Sequence, residues 1–128
     1  MSALDYRLML VRVFVRDLER AVRFYTETLG MKLSFRSDPL GWAQLGIDGA
    51  DLALERDRGE RANDSEEELV GRFVGVSLAV ADIDTTYETL RARGVEFLRP
   101  PEKMPWGGVL AHFRDPDGNV LTLIGNPR

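Results

Sequence analysis

His112 is the sole histidine in the 128 residues, and so the only side chain whose ordinary pKa lies near neutrality. The sequence contains no cysteine, which excludes disulfides, thiolate metal sites and a thiol nucleophile. What remains is proton transfer or hydrogen bonding at His112, with the carboxylate of Glu55 or Asp51 setting its tautomer. His112 and Glu55 are therefore the candidate catalytic residues. His112 also has a plainer reading, as a half-buried histidine satisfied by its neighbours. Arg12 offers a planar fork that could take a carboxylate or phosphate in bidentate fashion, and could equally pair with Glu55 across a cleft. Trp42 and Trp106 fit either core or interface positions. Trp106 stands beside Gly107-Gly108 in a loop, where it could also act as a lid that stacks on a flat or hydrophobic ligand.

The segments that must position these residues read mostly as strands. Leu8–Val15 is short and β-branched, and its alternation separates Met9, Val11, Val13 and Val15 from Leu8, Leu10, Arg12 and Phe14. The first set suits packing on a helix, and the second suits a surface that tolerates a guanidinium. Asp17 can cap a helix in which Leu18, Ala21, Val22, Tyr25 and Leu29 recur at helical spacing, ending at Gly30. Strands are expected over Met31–Ser37, Gly41–Ile47 and Ala50–Arg56. The run from Asp57 to Arg72 turns acidic and polar and reads as a solvated linker, with a short helical turn near Glu66–Val70.

The pattern then repeats. Phe73–Ala81 is a second strand, Asp82 stands where Asp17 stood, and a helix bearing Ile83, Tyr87 and Leu90 runs to Gly94. Val95–Leu98 reads as a short strand and Pro100–Pro105 as an extended loop. Asp115-Pro116-Asp117-Gly118-Asn119 has the chemistry of a turn, and the apolar runs on both sides make it a hairpin that carries His112 on its first strand. The organisation is a single α+β domain over 1–128. It comprises module one (1–56), a linker (57–72) and module two (73–128), each module a βαβββ unit.

A balance of 17 basic against 21 acidic residues, net charge −4, argues against nucleic acid as a partner. No apolar run approaches the ~20 residues of a membrane span and no signal peptide precedes Leu8, so a cytoplasmic protein is expected. Gly41, Gly46 and Gly49 lack the strand-to-helix context of a dinucleotide fingerprint. Asp115, Asp117 and Asn119 mimic the start of a calcium loop, but Pro116 and the missing downstream acid argue against one.

The run Asp17-Leu18-Glu19-Arg20-Ala21-Val22-Arg23-Phe24-Tyr25-Thr26-Glu27-Thr28-Leu29-Gly30-Met31 and the hairpin Phe113-Arg114-Asp115-Pro116-Asp117-Gly118-Asn119 resemble the vicinal oxygen chelate superfamily. That group includes glyoxalase I, extradiol dioxygenases, fosfomycin-resistance transferases and bleomycin-resistance proteins. The resemblance implies two four-stranded sheets, each half of a cleft, with helices on the convex faces and a homodimer as the usual assembly. In metal-using members each module gives two ligands from its first and last strands. Carried onto this chain, those positions are Leu10, Ala53 (or Glu55 by a slip of register), Val76 and Thr122. Such a set does not hold a hard or borderline cation, which wants several histidine nitrogens or carboxylate oxygens. No metal and no cofactor are therefore expected.

Pleat and resemblance together put Leu10, Arg12, Phe14, Asp51, Ala53, Glu55, Val76, Leu78, Val80, Leu110, His112, Arg114 and Thr122 on the cleft wall, with Trp42 and Trp106 at the rim. This is the make-up of a small-molecule site, apolar with a few polar anchors. The leading expectation is a metal-free protein that sequesters a partly hydrophobic or aromatic ligand in a dimeric cleft, as in the bleomycin-resistance branch. Two enzymatic alternatives accompany it. One is a metal-free enzyme using His112 with Glu55 or Arg12, and the other is a metal-dependent lyase, transferase or dioxygenase with atypical ligands.

Overall fold

In the computed structural model, residues 4–5, 8–57 and 69–125 are described. The chain runs β1 (Leu10–Val15), α1 (Leu18–Arg23, continued by a wider turn over Phe24–Thr28), β2 (Lys32–Ser37), β3 (Trp42–Gly46) and β4 (Asp51–Arg56). It then repeats as β5 (Phe73–Ala79), α2 (Ile83–Ala92), β6 (Glu96–Phe97), β7 (Glu102–Lys103), β8 (Val109–Arg114) and β9 (Val120–Gly125). Both modules lay their strands in the same order, β1-β4-β3-β2 in one sheet and β5-β9-β8-β6 in the other, with the first and last strands parallel. The duplication expected from the sequence is therefore the architecture. Three details differ. The sixth strand is shorter than Val95–Leu98. The proline-rich stretch contains a strand, because Glu102 and Lys103 pair with Leu110 and Val109. The end of the supposed linker is not a helical turn: Val70 bridges in parallel to Phe14 and is buried. Glu66–Glu68 lie outside the described residues.

Both helices start as their sequences require. Asp17 Oδ1 accepts from Arg20 N at 3.0 Å and Asp82 Oδ1 from Thr85 N at 3.0 Å, each satisfying an orphan amide of a first turn. At the end of α1 the backbone loosens. Leu29 N donates to Phe24 O at 2.9 Å, a bond spanning five residues instead of four. In this widened turn Tyr25 is fully buried.

One core unites the modules. Val13, Val15, Leu52, Leu54, Ala43 and Leu45 face α1, while Val109, Ala111, Phe113, Leu121 and Leu123 pack with Ile83 and Leu90 of α2. The Asp115–Asn119 turn clasps the halves together. Tyr25 Oη donates to Asp115 Oδ2 at 2.9 Å, and Arg20 pairs with Asp117 at 2.6 Å. Asn119 Nδ2 donates to Phe14 O at 2.9 Å, while its Oδ1 accepts from Gly71 N at 2.7 Å and Arg72 N at 3.2 Å. Gly118 supplies the positive φ (85°) that closes the turn.

Candidate binding site

With one face of each sheet committed to the core, the other face carries the polar residues. In module one the register places Arg12 beside Ala53 and Ala53 beside Gln44, with Glu55 between Phe14 and Trp42. Arg12 Nη1 donates to Glu55 Oε1 at 3.0 Å, and its guanidinium lies 5.3 Å from the centre of the Phe14 ring. Trp42 Nε1 donates to Gln44 Oε1 at 3.3 Å, and Gln44 Nε2 donates to Asp51 Oδ2 at 2.6 Å. Each acceptor in this chain fixes the next donor, so the Gln44 amide has one favoured orientation. Leu10 heads the same face.

In module two, His112 faces Thr122 across β8 and β9, and Leu110 faces Ile124. His112 Nδ1 and Thr122 Oγ1 are 2.8 Å apart, so Nδ1 either accepts from the hydroxyl or donates to it, and Nε2 takes the complementary role. The ring of Phe73 meets His112 edge to face, with centroids 5.7 Å apart. Trp106 is 63% exposed and lies over Gly108, where a Cβ would fall 1.9 Å from its ring, so only glycine fits under the indole. This ring is held at the Leu110 end of the face, between Met104 and Gly108, which close a turn by a 2.7 Å backbone bond.

Two expectations about site residues are corrected here. Val76 and Leu78, and Val80 with them, do not belong to the open face. Leu78 pairs with the core residue Leu123, and all three aliphatic side chains pack against the core, whereas Ser77 pairs with Thr122. The open set on β5 is Phe73, Gly75, Ser77 and Ala79, all exposed. The parity differs because the carried-over position was one residue off. The separation of Asp17 and Asp82 takes Leu10 to Gly75, which adopts φ +82° within a register shift between Phe73 and Ser77. Secondly, neither Glu55 nor Asp51 sets the tautomer of His112. Glu55 is engaged by Arg12, Asp51 by Gln44, and the partner of His112 is Thr122. Sequence reasoning also missed Gln44, Phe73 and Ser77. Reading the small and polar residues of β5 outward and its aliphatic residues inward, as for β1, would have found the last two.

The four carried-over positions are thus Leu10, Ala53, Gly75 and Thr122, of which only the Thr122 hydroxyl offers a side-chain oxygen, with Glu55 nearby but already paired. These do not fit a catalytic cation. Among the described residues no group of three or more His, Asp or Glu side chains is disposed to hold a metal ion. No helix among them is long and apolar enough to cross a membrane.

Residues 7–123 match the family model described as Glyoxalase/Bleomycin resistance protein/Dioxygenase superfamily. A superfamily member from Sphaerobacter thermophilus superposes with a TM-score of 0.80 at 34% identity, over 96% of this chain and 98% of that one. TnmS3, an antibiotic binding protein from Streptomyces sp. CB03234, superposes with a TM-score of 0.74 at 30% identity, over 98% of this chain and 99% of its own. A probable lactoylglutathione lyase from Synechocystis sp. is 32% identical over 115 residues, 86% of this chain and 88% of that protein.

Proposed function

The chain belongs to the Glyoxalase/Bleomycin resistance protein/Dioxygenase superfamily, and from that premise we propose that it is a metal-free binding protein. Its ligand is a small, partly hydrophobic or aromatic molecule, held on the open faces of the two sheets within a homodimer. The observation that carries this reading is a pairing found on both faces. Phe14 and Trp42 stand beside Arg12 and Gln44, Phe73 stands beside His112, and among the described residues no donor set for a cation accompanies either group. Aromatic rings provide contact area, and a few oriented polar groups provide specificity. The likeness to an antibiotic binding protein supports the same reading.

The likeness to a probable lactoylglutathione lyase favours one alternative, an enzyme of the same fold. A thermal-shift screen against divalent metals, antibiotics, thiol cofactors and aromatic metabolites tests both. The expected outcome is a raised melting temperature with an aromatic or hydrophobic compound and none with metals. Stoichiometric Mn, Fe, Ni or Zn in protein purified without chelator, with a fall in stability on chelation, would overturn the metal-free reading. Once a ligand is known, His112→Ala should weaken binding only modestly; a loss of turnover of ~10²-fold or more would establish an enzyme.

A further inference from the structure

We propose that the chain carries a second binding site, at the seam between the modules and distinct from the Arg12 and His112 groups of the open faces, for a small amphiphile with an apolar body and a cationic amine head. A cavity of about 800 Å³ lies between the modules, within the size range of ligand pockets. One wall is built by Val11, Leu29, Met31 and Ile47 of module one, and the other by Val76 and Leu78 of module two. These are the aliphatic side chains that the sequence reading assigned elsewhere or left to the core. None of these six side chains carries a charge or a hydrogen-bond donor, so this part of the lining favours an apolar body.

The charged groups of the cavity are of one sign, and the neutral residues Ser77 and Thr86 line it beside them. Asp48 and Asp51 line it, Asp48 exposed and Asp51 half-buried, and no lysine or arginine is among the lining residues. Asp51 Oδ2 accepts from Gln44, which leaves its other carboxylate oxygen for a second donor. An ammonium group, with three donors and a positive charge, complements this pair; a carboxylate head would meet repulsion instead. β5 is an edge strand of its sheet and its residues Val74 to Val80 also border the cavity, so one side of the site is a strand margin.

The test uses octylamine, octanol and octanoate with the full chain, titrated by isothermal calorimetry at neutral pH. Octylamine is expected to bind ~10-fold or more tightly than octanoate, a preference of the size a nearby charge pair produces in partly screened water. Asp48→Asn with Asp51→Asn should bring the two affinities within ~3-fold of each other. Val76→Trp should fill the cavity and abolish octylamine binding; Met31→Trp does so from the opposite wall if the first variant does not fold. Arg12→Ala should leave octylamine binding unchanged, which separates this site from the open-face one. Equal affinities for amine and carboxylate, no binding by the wild type, or binding lost with Arg12→Ala and kept with both tryptophan variants would each overturn the proposal.

Discussion

Tyr25 and Asp115 hold a buried polar contact between the two modules. The phenol is fully buried and donates to a carboxylate that also accepts from the Asp117 and Asn119 backbone amides and from Asn119 Nδ2. Burial pushes the Tyr25 hydroxyl well above 10, reinforced by the neighbouring charge of Asp115. Burial likewise raises the Asp115 carboxyl above 3.8, although the hydrogen bonds from Asn119 and Tyr25 oppose the rise. A tyrosine whose pKa is raised by folding contributes stability that is complete below pH 10 and is lost as pH climbs through the raised value. Urea unfolding should therefore show stability declining above pH 10, and Tyr25→Phe should make that decline shallower by up to one proton. The same variant should cost about 1.5–3 kcal/mol at neutral pH, the range for a hydrogen bond to a charged group. An unchanged pH slope would contradict this assignment. Arg12 and Glu55 teach a different lesson at this scale. Their exposed pair (53% and 29%) is a surface ion pair of small net worth, so its disruption by a ligand costs little.

At the scale of elements, both helix caps could be read from single aspartates, since capping is a local bond between neighbours in sequence. The facing of β5 could not be read so simply. Alternation fixes which residues share a face, but not which face meets the core, and the register shift around Gly75 changes the pairing partway along the strand. The packing of α2 on its sheet depends on a contact that no local pattern reveals. A Cβ on Gly125 would lie 2.8 Å from Ile83 Cβ, so the last strand needs glycine where the helix crosses it. Gly125→Ala should destabilise the fold by about 1–3 kcal/mol through overpacking, measured as a lowered urea midpoint with an unchanged m-value. A wild-type midpoint would show that the helix can shift without cost.

The whole molecule is two copies of one unit joined by a turn and a shared core. Each copy leaves one sheet face open, and large apolar side chains stand exposed there and around it: Phe35, Phe73 and Trp106 are all more than half exposed. A homodimer that brings open faces together would cover such rings, and it is the assembly we propose for the binding-competent form. Light scattering coupled to size exclusion should give twice the 14.4 kDa of one chain. A monomer mass that persists at high protein concentration would remove the dimer from the proposal and leave each face to bind by itself.

Composition, periodicity and turn chemistry by themselves determined most of the element types, the duplicated order, both caps and the DPDGN hairpin. All of these arise from interactions between residues close in sequence or repeated at a fixed spacing. The absence of thiols and the scarcity of histidine are equally plain, and they narrow the chemistry by themselves. Only the tertiary structure decided that His112 answers to Thr122, that Arg12 takes Glu55, and that Val76 and Leu78 turn toward the core. It alone opened a cavity between the modules. Partners of that kind meet across strands far apart in the chain, and a shift of one residue in register exchanges every one of them.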